Sequence, residues 1–569
     1  MRHLFTTLTL VCFIALTFGH TISAQRGGHQ GTAQLQLVEA TVPDLLKAIQ
    51  TGLITSEQLV RMYLARVAAY DNAGPKLNAF LTVNPNALAE ARELDRTRDP
   101  GIARSPLYGI PVLLKDNVNT ADMPTTAGSV ALEGSVPPDD AFITKKLRDA
   151  GAIILGKATL TEFANFLTNG MPAGYSSLGG YGFNPYDPRP VPPGFPNDDG
   201  RPVLTTGGSS SGSGIAMAAN LAAVAVGTET SGSILSPASA NMAVGIKPTV
   251  GLISRDGIIP ITADQDTAGP IARTVTDAAI LLGVLAGHDP SDAATDACLT
   301  PGNCFSDYTK FLDKKALAGA RIAFPPPPGN RADLMNAAVE VLRAQGATVE
   351  PILALGGQLP GCPSNVFPPV EPWPPLEPLC ASALFYGFKR DLNAYLESLG
   401  PGAPVGSLSD VIAFNNAHAA EALKYGQILA ELSNSIDISP GSDDTAQYTA
   451  SRAEDIVRSR GALNAVYNGP DGIRGTADDF DAILFSANSG AGIPAKAGYP
   501  SITVPGGFAP SAPPPVAPTN PVPSGVTFSG RAFSEPRLIG LAYAFEQGTK
   551  HRLPPASTPP LPTDTVRRP

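Results

Sequence analysis

The chain has 569 residues and a formal net charge of −10, a balance that argues against nucleic acid and anionic membrane surfaces as partners. Its 57 glycines and 57 prolines imply many turns, while a hydrophobic share of 43% suffices for a large buried core. The N-terminus opens with the basic Met1-Arg-His3, followed by an uncharged apolar run over 4–18 and a small polar stretch ending at Ala24. This pattern predicts a secretory signal peptide over residues 1–24. A membrane span needs about 20 apolar residues, more than this run offers. The expectation is a secreted or periplasmic protein with no membrane attachment once the leader is cleaved.

Over residues 42–70 the apolar spacing suits two amphipathic helices, the second capped by Thr55 or Ser56. Residues 109–115 read as a buried strand, 141–150 as a helix and 152–155 as a strand. The Pro- and Asp-rich stretch 185–202 reads as a surface insertion. A Gly/Ser-rich turn at 206–214 precedes an apolar helix over 215–221 and a strand over 222–227. Strands are expected at 320–324 and 348–352, with a helix over 332–345 between them. A Pro-rich stretch covers 353–378, and a largely helical region continues to about Tyr467. Short strands follow at 481–485 and 501–504, and the Pro-rich tail after His551 is expected to be mobile. This alternation predicts an α/β fold around a largely parallel or mixed sheet.

Beyond the leader lie Cys298, Cys304, Cys362 and Cys380, an even count that suggests two disulfides in an exported chain. Pairing nearest neighbours closes two short loops; the other connectivities stay open. No C-x-x-C spacing points to a metal or redox role.

A serine nucleophile needs a base for its hydroxyl proton, most often a histidine. Past the leader the histidines are His29, His288, His418 and His551, none beside a Ser/Gly-rich turn. Lys115 is the candidate base instead. It ends an apolar strand, where desolvation disfavours the ammonium form, and a neutral amine can accept a proton. Spacing alone also admits a surface lysine paired with Asp116. Two turns carry candidate nucleophiles, Gly207-Gly-Ser-Ser-Ser-Gly212 and Gly227-Thr-Glu-Thr-Ser-Gly-Ser-Ile234. The first also reads as a flexible linker, and as a G-x-S-x-G turn with Ser210 as nucleophile and His418 or His551 as base. It lacks the Gly-Lys-Ser/Thr ending of a phosphate loop.

Taken together, Gly207-Gly-Ser-Ser-Ser-Gly-Ser213, Gly227-Thr-Glu-Thr-Ser-Gly-Ser-Ile234, Gly245-Ile-Lys-Pro-Thr-Val-Gly251 and Ser254-Arg-Asp-Gly257 resemble the amidase signature family. The upstream Gly109-Ile-Pro-Val-Leu-Leu-Lys-Asp-Asn117 extends the match. So do Asp266-Thr-Ala-Gly-Pro-Ile-Ala-Arg273 and Ala497-Gly-Tyr-Pro-Ser-Ile-Thr-Val504 downstream. The resemblance implies a single large α/β domain over 35–553, with a central mixed β-sheet covered by helices, followed by the tail 554–569. It implies a Ser-cisSer-Lys triad in which Lys115 is the base, Ser209 the bridge after a cis peptide, and Ser233 the nucleophile. The backbone N–H groups of Thr230, Ser231, Gly232 and Ser233 would form the oxyanion hole. Ser210 becomes a supporting residue, and Ser211 and Ser213 begin a helix. No metal or organic cofactor is implied.

The implied reaction takes a neutral primary amide to a carboxylic acid and ammonia. Ser231 and Leu235 stand where many members have Gly and Arg, and both flank the nucleophile, which leaves the substrate open. The blocks look closest to the peptide amidase branch, which acts on C-terminal peptide amides. The alternatives are an aryl or fatty acyl amidase, a component of an ammonia-transferring amidotransferase, and an inactive binding scaffold. Asp266 and Arg273 read as a structural pair, and Glu229 as the organiser of the nucleophile loop. Residues 471–479 read as an acidic loop, since they lack the spacing and bidentate Glu of an EF-hand calcium site.

Overall fold

Residues 111–115 and 224–229 are buried at every position, and such runs belong in the middle of a sheet covered on both faces. The computed structural model describes residues 33–98, 105–325, 329–352, 382–510 and 521–568. The expected leader, Cys362, Cys380 and the Pro-rich stretch 353–378 lie outside the described residues. In chain order the strands begin with β1 (Ala33–Gln36), β2 (Phe80–Val83), β3 (Pro111–Lys115), β4 (Ile153–Ala158), β5 (Tyr175–Ser176) and β6 (Gly180–Tyr181). Next come β7 (Val224–Glu229), β8 (Val244–Lys247), β9 (Thr267–Ala272), β10 (Arg321–Phe324) and β11 (Thr348–Pro351). The last four are β12 (Ala482–Ser486), β13 (Ser501–Ala509), β14 (Val522–Ser529) and β15 (Thr565–Arg568).

Eleven strands form one sheet in the order β11-β10-β12-β14-β13-β8-β9-β7-β3-β4-β2. It is mixed. The strand β3 runs parallel to both β4 and β7, whereas β7 runs antiparallel to β9. In the β3–β7 register Leu114 faces Val226, so Lys115 emerges beside the last residues of β7.

The two expected N-terminal helices are Val42–Gln50 and Ser56–Arg66. Thr55 caps the second: its hydroxyl accepts the Gln58 N–H at 3.1 Å, and Gln58 Oε1 accepts the Thr55 N–H at 3.0 Å. The region after 381 is helical, as its pattern predicts. Its first helix, Ser382–Ser398, packs Phe385 and Phe388 against Phe163 and Phe166 in an apolar cluster separate from the sheet core. The helical region forms a cap that reaches the segment after β3, where the Tyr395 hydroxyl donates to Asn119 Oδ1 at 2.7 Å.

The C-terminal tail departs from expectation. It is packed rather than mobile: β15 pairs antiparallel with β1, and Asp564 forms a fully buried ion pair with Arg66 at 2.5 Å. The Arg66 guanidinium also donates to the carbonyls of Thr558 and Pro559, which draws the prolines onto the N-terminal helices. Cys298 and Cys304 form a disulfide, one of the two expected pairings.

Candidate active site

Lys115 ends β3 and is completely buried. Its Nζ lies 2.9 Å from Ser209 Oγ, 2.8 Å from Thr228 Oγ1 and 3.3 Å from the Thr228 carbonyl oxygen. Asn117 braces the same hydroxyl, its Nδ2 donating to Thr228 Oγ1 at 3.0 Å. Burial lowers Lys115 to about 7, against the opposing pull of the Asp266 and Glu229 charges. A neutral amine has two N–H donors and one lone pair. The three partners match that inventory, with Ser209 placed to give its proton to the lone pair.

The Gly208–Ser209 peptide is cis. Ser209 is buried and lines, together with Ser233, a cavity of about 340 Å³. The Ser210 N–H donates to the Ser233 carbonyl at 3.2 Å, so the two serine turns are tied through their backbones. Ser210 itself does not line this cavity. Its hydroxyl accepts the Thr228 N–H at 3.2 Å and donates to the Thr228 carbonyl at 3.1 Å, as a supporting residue should. Ser211 and Ser213 begin the helix Ser211–Ala218, donating to the Gly207 and Val226 carbonyls. His418 is exposed on the cap with its ring against Phe414, and His551 packs on Phe545; neither lines the cavity.

Glu229 organises the nucleophile loop. Its carboxylate accepts the N–H groups of Gly232 at 2.6 Å, Ile234 at 2.8 Å and Leu235 at 3.1 Å. Of the four expected oxyanion donors, the Gly232 N–H donates to Glu229 in this structure. The N–H groups of Thr230, Ser231 and Ser233 have no protein acceptor among the described residues.

Asp266 and Arg273 are not a pair. Arg273 donates to the Ala222 and Ala40 carbonyls. Asp266 accepts the Thr230 hydroxyl and the N–H groups of Ile261 and Thr262. Burial pushes Asp266 up to about 7.

Among the described residues no charged side chain lines the Ser233 cavity. Its apolar walls include Phe166, Ile261 and Leu384, and its rim carries Ser231, Asn165 and Asn488. Leu235 is buried beneath the loop and does not reach it. The sequence reading missed Thr228, Asn488 and the cap residue Leu384. Thr228 stood inside a quoted block, but nothing in their local patterns marks Leu384 or Asn488.

Among the described residues no group of three or more His, Cys, Asp or Glu side chains forms a candidate metal site. In the acidic loop 471–479 the carboxylates are occupied by the loop itself: Asp478 accepts the Asp471 N–H at 2.9 Å, and Asp479 accepts the Gly475 N–H at 2.9 Å.

Comparison with known proteins places the chain among amidases. The family model described as Amidase matches residues 58–355. A probable amidase of Arabidopsis thaliana is 38% identical over 536 residues, covering 92% of this chain and 93% of the relative. The solved structure of native peptide amidase from Stenotrophomonas maltophilia is 39% identical, with a TM-score of 0.75, over 92% of this chain and 99% of that one. A glutamyl-tRNA(Gln) amidotransferase component from Streptomyces coelicolor is 42% identical over a shorter stretch, 46% of this chain and 48% of the relative.

Proposed function

The chain belongs to the amidase family and is an amide-hydrolysing enzyme, and from that premise we propose that Ser233 is its nucleophile, relayed through Ser209 to Lys115. The observation that carries the reading is the buried Lys115 amine at 2.9 Å from Ser209 Oγ, behind an uncharged cavity that Ser209 shares with Ser233.

Ser233 Oγ attacks the amide carbonyl while its proton passes to Ser209, and the Ser209 proton passes to neutral Lys115. The carbonyl oxygen gains negative charge, and the free N–H groups of the Thr230–Ser231–Ser233 loop stabilise it. Collapse of this intermediate breaks the C–N bond. Lys115 then returns its proton through Ser209 to the leaving nitrogen, and ammonia departs. Water attacks the acyl-enzyme by the same relay, releasing the carboxylic acid and restoring the Ser233 hydroxyl.

The substrate is a neutral primary amide, and C-terminal peptide amides fit best. Among the described residues the cavity around Ser233 is lined by uncharged side chains, which suits a neutral group at the scissile amide. The peptide amidase structure covers nearly all of this chain, which supports the same branch. A second reading, an ammonia-transferring component of a larger complex, rests on the amidotransferase relatives. An amide library scored by ammonia release, with Ser233→Ala as control, tests both. Hydrolysis lost in the control supports the amidase reading, and release only in the presence of a partner protein and charged tRNA overturns it.

The same proposal includes action outside the cytoplasm. The apolar run 4–18 and the Cys298–Cys304 disulfide support it, since structural disulfides persist in oxidising compartments. Fractionation of cells that make the full chain is the check, and retention in the cytoplasm overturns it.

A further inference from the structure

Asn488 lies on the turn after β12 and lines the Ser233 cavity. Its Nδ2 stands over the nucleophile loop, so close that a Cβ on Gly232 would meet it at 3.3 Å. Gly232 has φ +84°, a conformation suited to glycine, and the missing side chain leaves room for the carboxamide. Asn488 is exposed, and its carboxamide engages no other protein group among the described residues. The wall of the same cavity includes the apolar side chains of Phe166 and Leu384.

A carboxamide offers an N–H donor and a carbonyl acceptor, and a trans peptide turns its own N–H and C=O to opposite edges, so one carboxamide engages one of the two. We infer that Asn488 reads the peptide bond next to the scissile amide in an N-acylated amino-acid amide. Its Nδ2, which stands over the nucleophile loop, donates to the acyl carbonyl. The residue's side chain then rests on Phe166 and Leu384, where an uncharged group is favoured and a charged one goes unpaired. This assignment rests on the amidase reading above and deepens it: Asn488 is a specificity-determining residue that separates peptide-like amides from simple aliphatic ones.

The test compares N-acetyl-leucinamide with 4-methylpentanamide, which keeps the side chain and the scissile amide but lacks the acylamino group. The wild type should prefer the first by at least about tenfold in kcat/KM, the scale of discrimination by a site built to hydrogen-bond its substrate. Asn488→Leu and the isosteric Asn488→Asp should each collapse that preference, with the loss carried mainly by KM. Thermal melts identify which variants are folded, and Asn488→Asp keeps the test valid should Asn488→Leu misfold. An unaltered preference in a folded variant overturns the assignment, as does a wild type that favours the simple amide; in both cases the amidase reading stands. Turnover of neither amide, or full turnover by Ser233→Ala, overturns the amidase reading and this assignment with it.

Discussion

The Glu229 carboxylate accepts the N–H of Gly232 at 2.6 Å and that of Ile234 at 2.8 Å, holding the chain on both sides of Ser233. A short loop between two fixed points has little freedom, so the nucleophile is positioned before substrate arrives. The carboxylate closes this loop without facing the cavity.

Glu229→Ala should therefore lower kcat by about 10²–10³, the scale seen when an oxyanion-stabilising loop loses a positioned donor. Three buried N–H groups lose their acceptor, so the melting temperature should fall as well. Glu229→Gln, which keeps one acceptor oxygen, should recover part of both. Steady-state kinetics paired with thermal melts would reveal any variant that melts low yet turns over normally, and such a variant would contradict the positioning role.

In the proposed relay Lys115 acts only as the free amine, and burial lowers it to about 7. Below that pH it is protonated and cannot take the Ser209 proton; above it the base is free. The kcat/KM profile should rise with pH through an inflection near 7 and then level off. A profile flat down to pH 5 would show that another group serves as base.

Asp266 tunes that inflection. Its charge, when present, stabilises the Lys115 ammonium and pulls the lysine upward. Asp266→Asn removes that pull, so the rising limb should move to lower pH, read from the same profile. A shift to higher pH would mean the carboxylate is not the influence assigned to it.

Ser210→Ala separates the relay from the elbow-like reading of the same turn. A fluorophosphonate should still label Ser233 in this variant, while lost bonds to the Thr228 backbone lower its melting temperature. Ser233→Ala should abolish labelling, seen by mass spectrometry of the labelled peptide. Labelling at position 210 would reverse the assignment.

Arg66→Ala should destabilise the fold by about 3–5 kcal/mol, the usual effect of leaving one member of a buried ion pair alone. Deleting residues 558–569 should likewise lower the urea midpoint. An unchanged midpoint after deletion would mean the packed tail contributes nothing.

The strands and helices legible in the sequence were those with unbroken burial or good caps. Thr55 stood out as one of two candidate caps for its helix, and β3 as an apolar run ending at Lys115. The strand β14 was not among them; it contains Pro523, Ser524 and Gly525, residue types that favour turns. A Cβ at Gly525 would meet Thr503 Oγ1 at 2.6 Å, so β13 approaches too closely for any other residue there. Proline composition suggested a loose tail because the partner that orders it, Arg66, lies far away in the sequence. The same limit governed the site. Lys115, Ser209 and Ser233 stood in recognisable blocks, but whether the Gly232 N–H faces the cavity or Glu229 depends on how the loop closes. Asn488 and Leu384 reach the cavity from distant segments, so no local spacing could place them there.

The reacting groups stand on β3, on β7 with the loop after it, and on the turn before the helix Ser211–Ala218. Much of the wall that meets a substrate comes from other parts of the chain, including the helical cap and the turn after β12. Chemistry and choice of substrate are thus carried by separable pieces. An engineer seeking a new amide preference has reason to begin at Leu384 and Asn488, which line the cavity and stand outside the proposed relay.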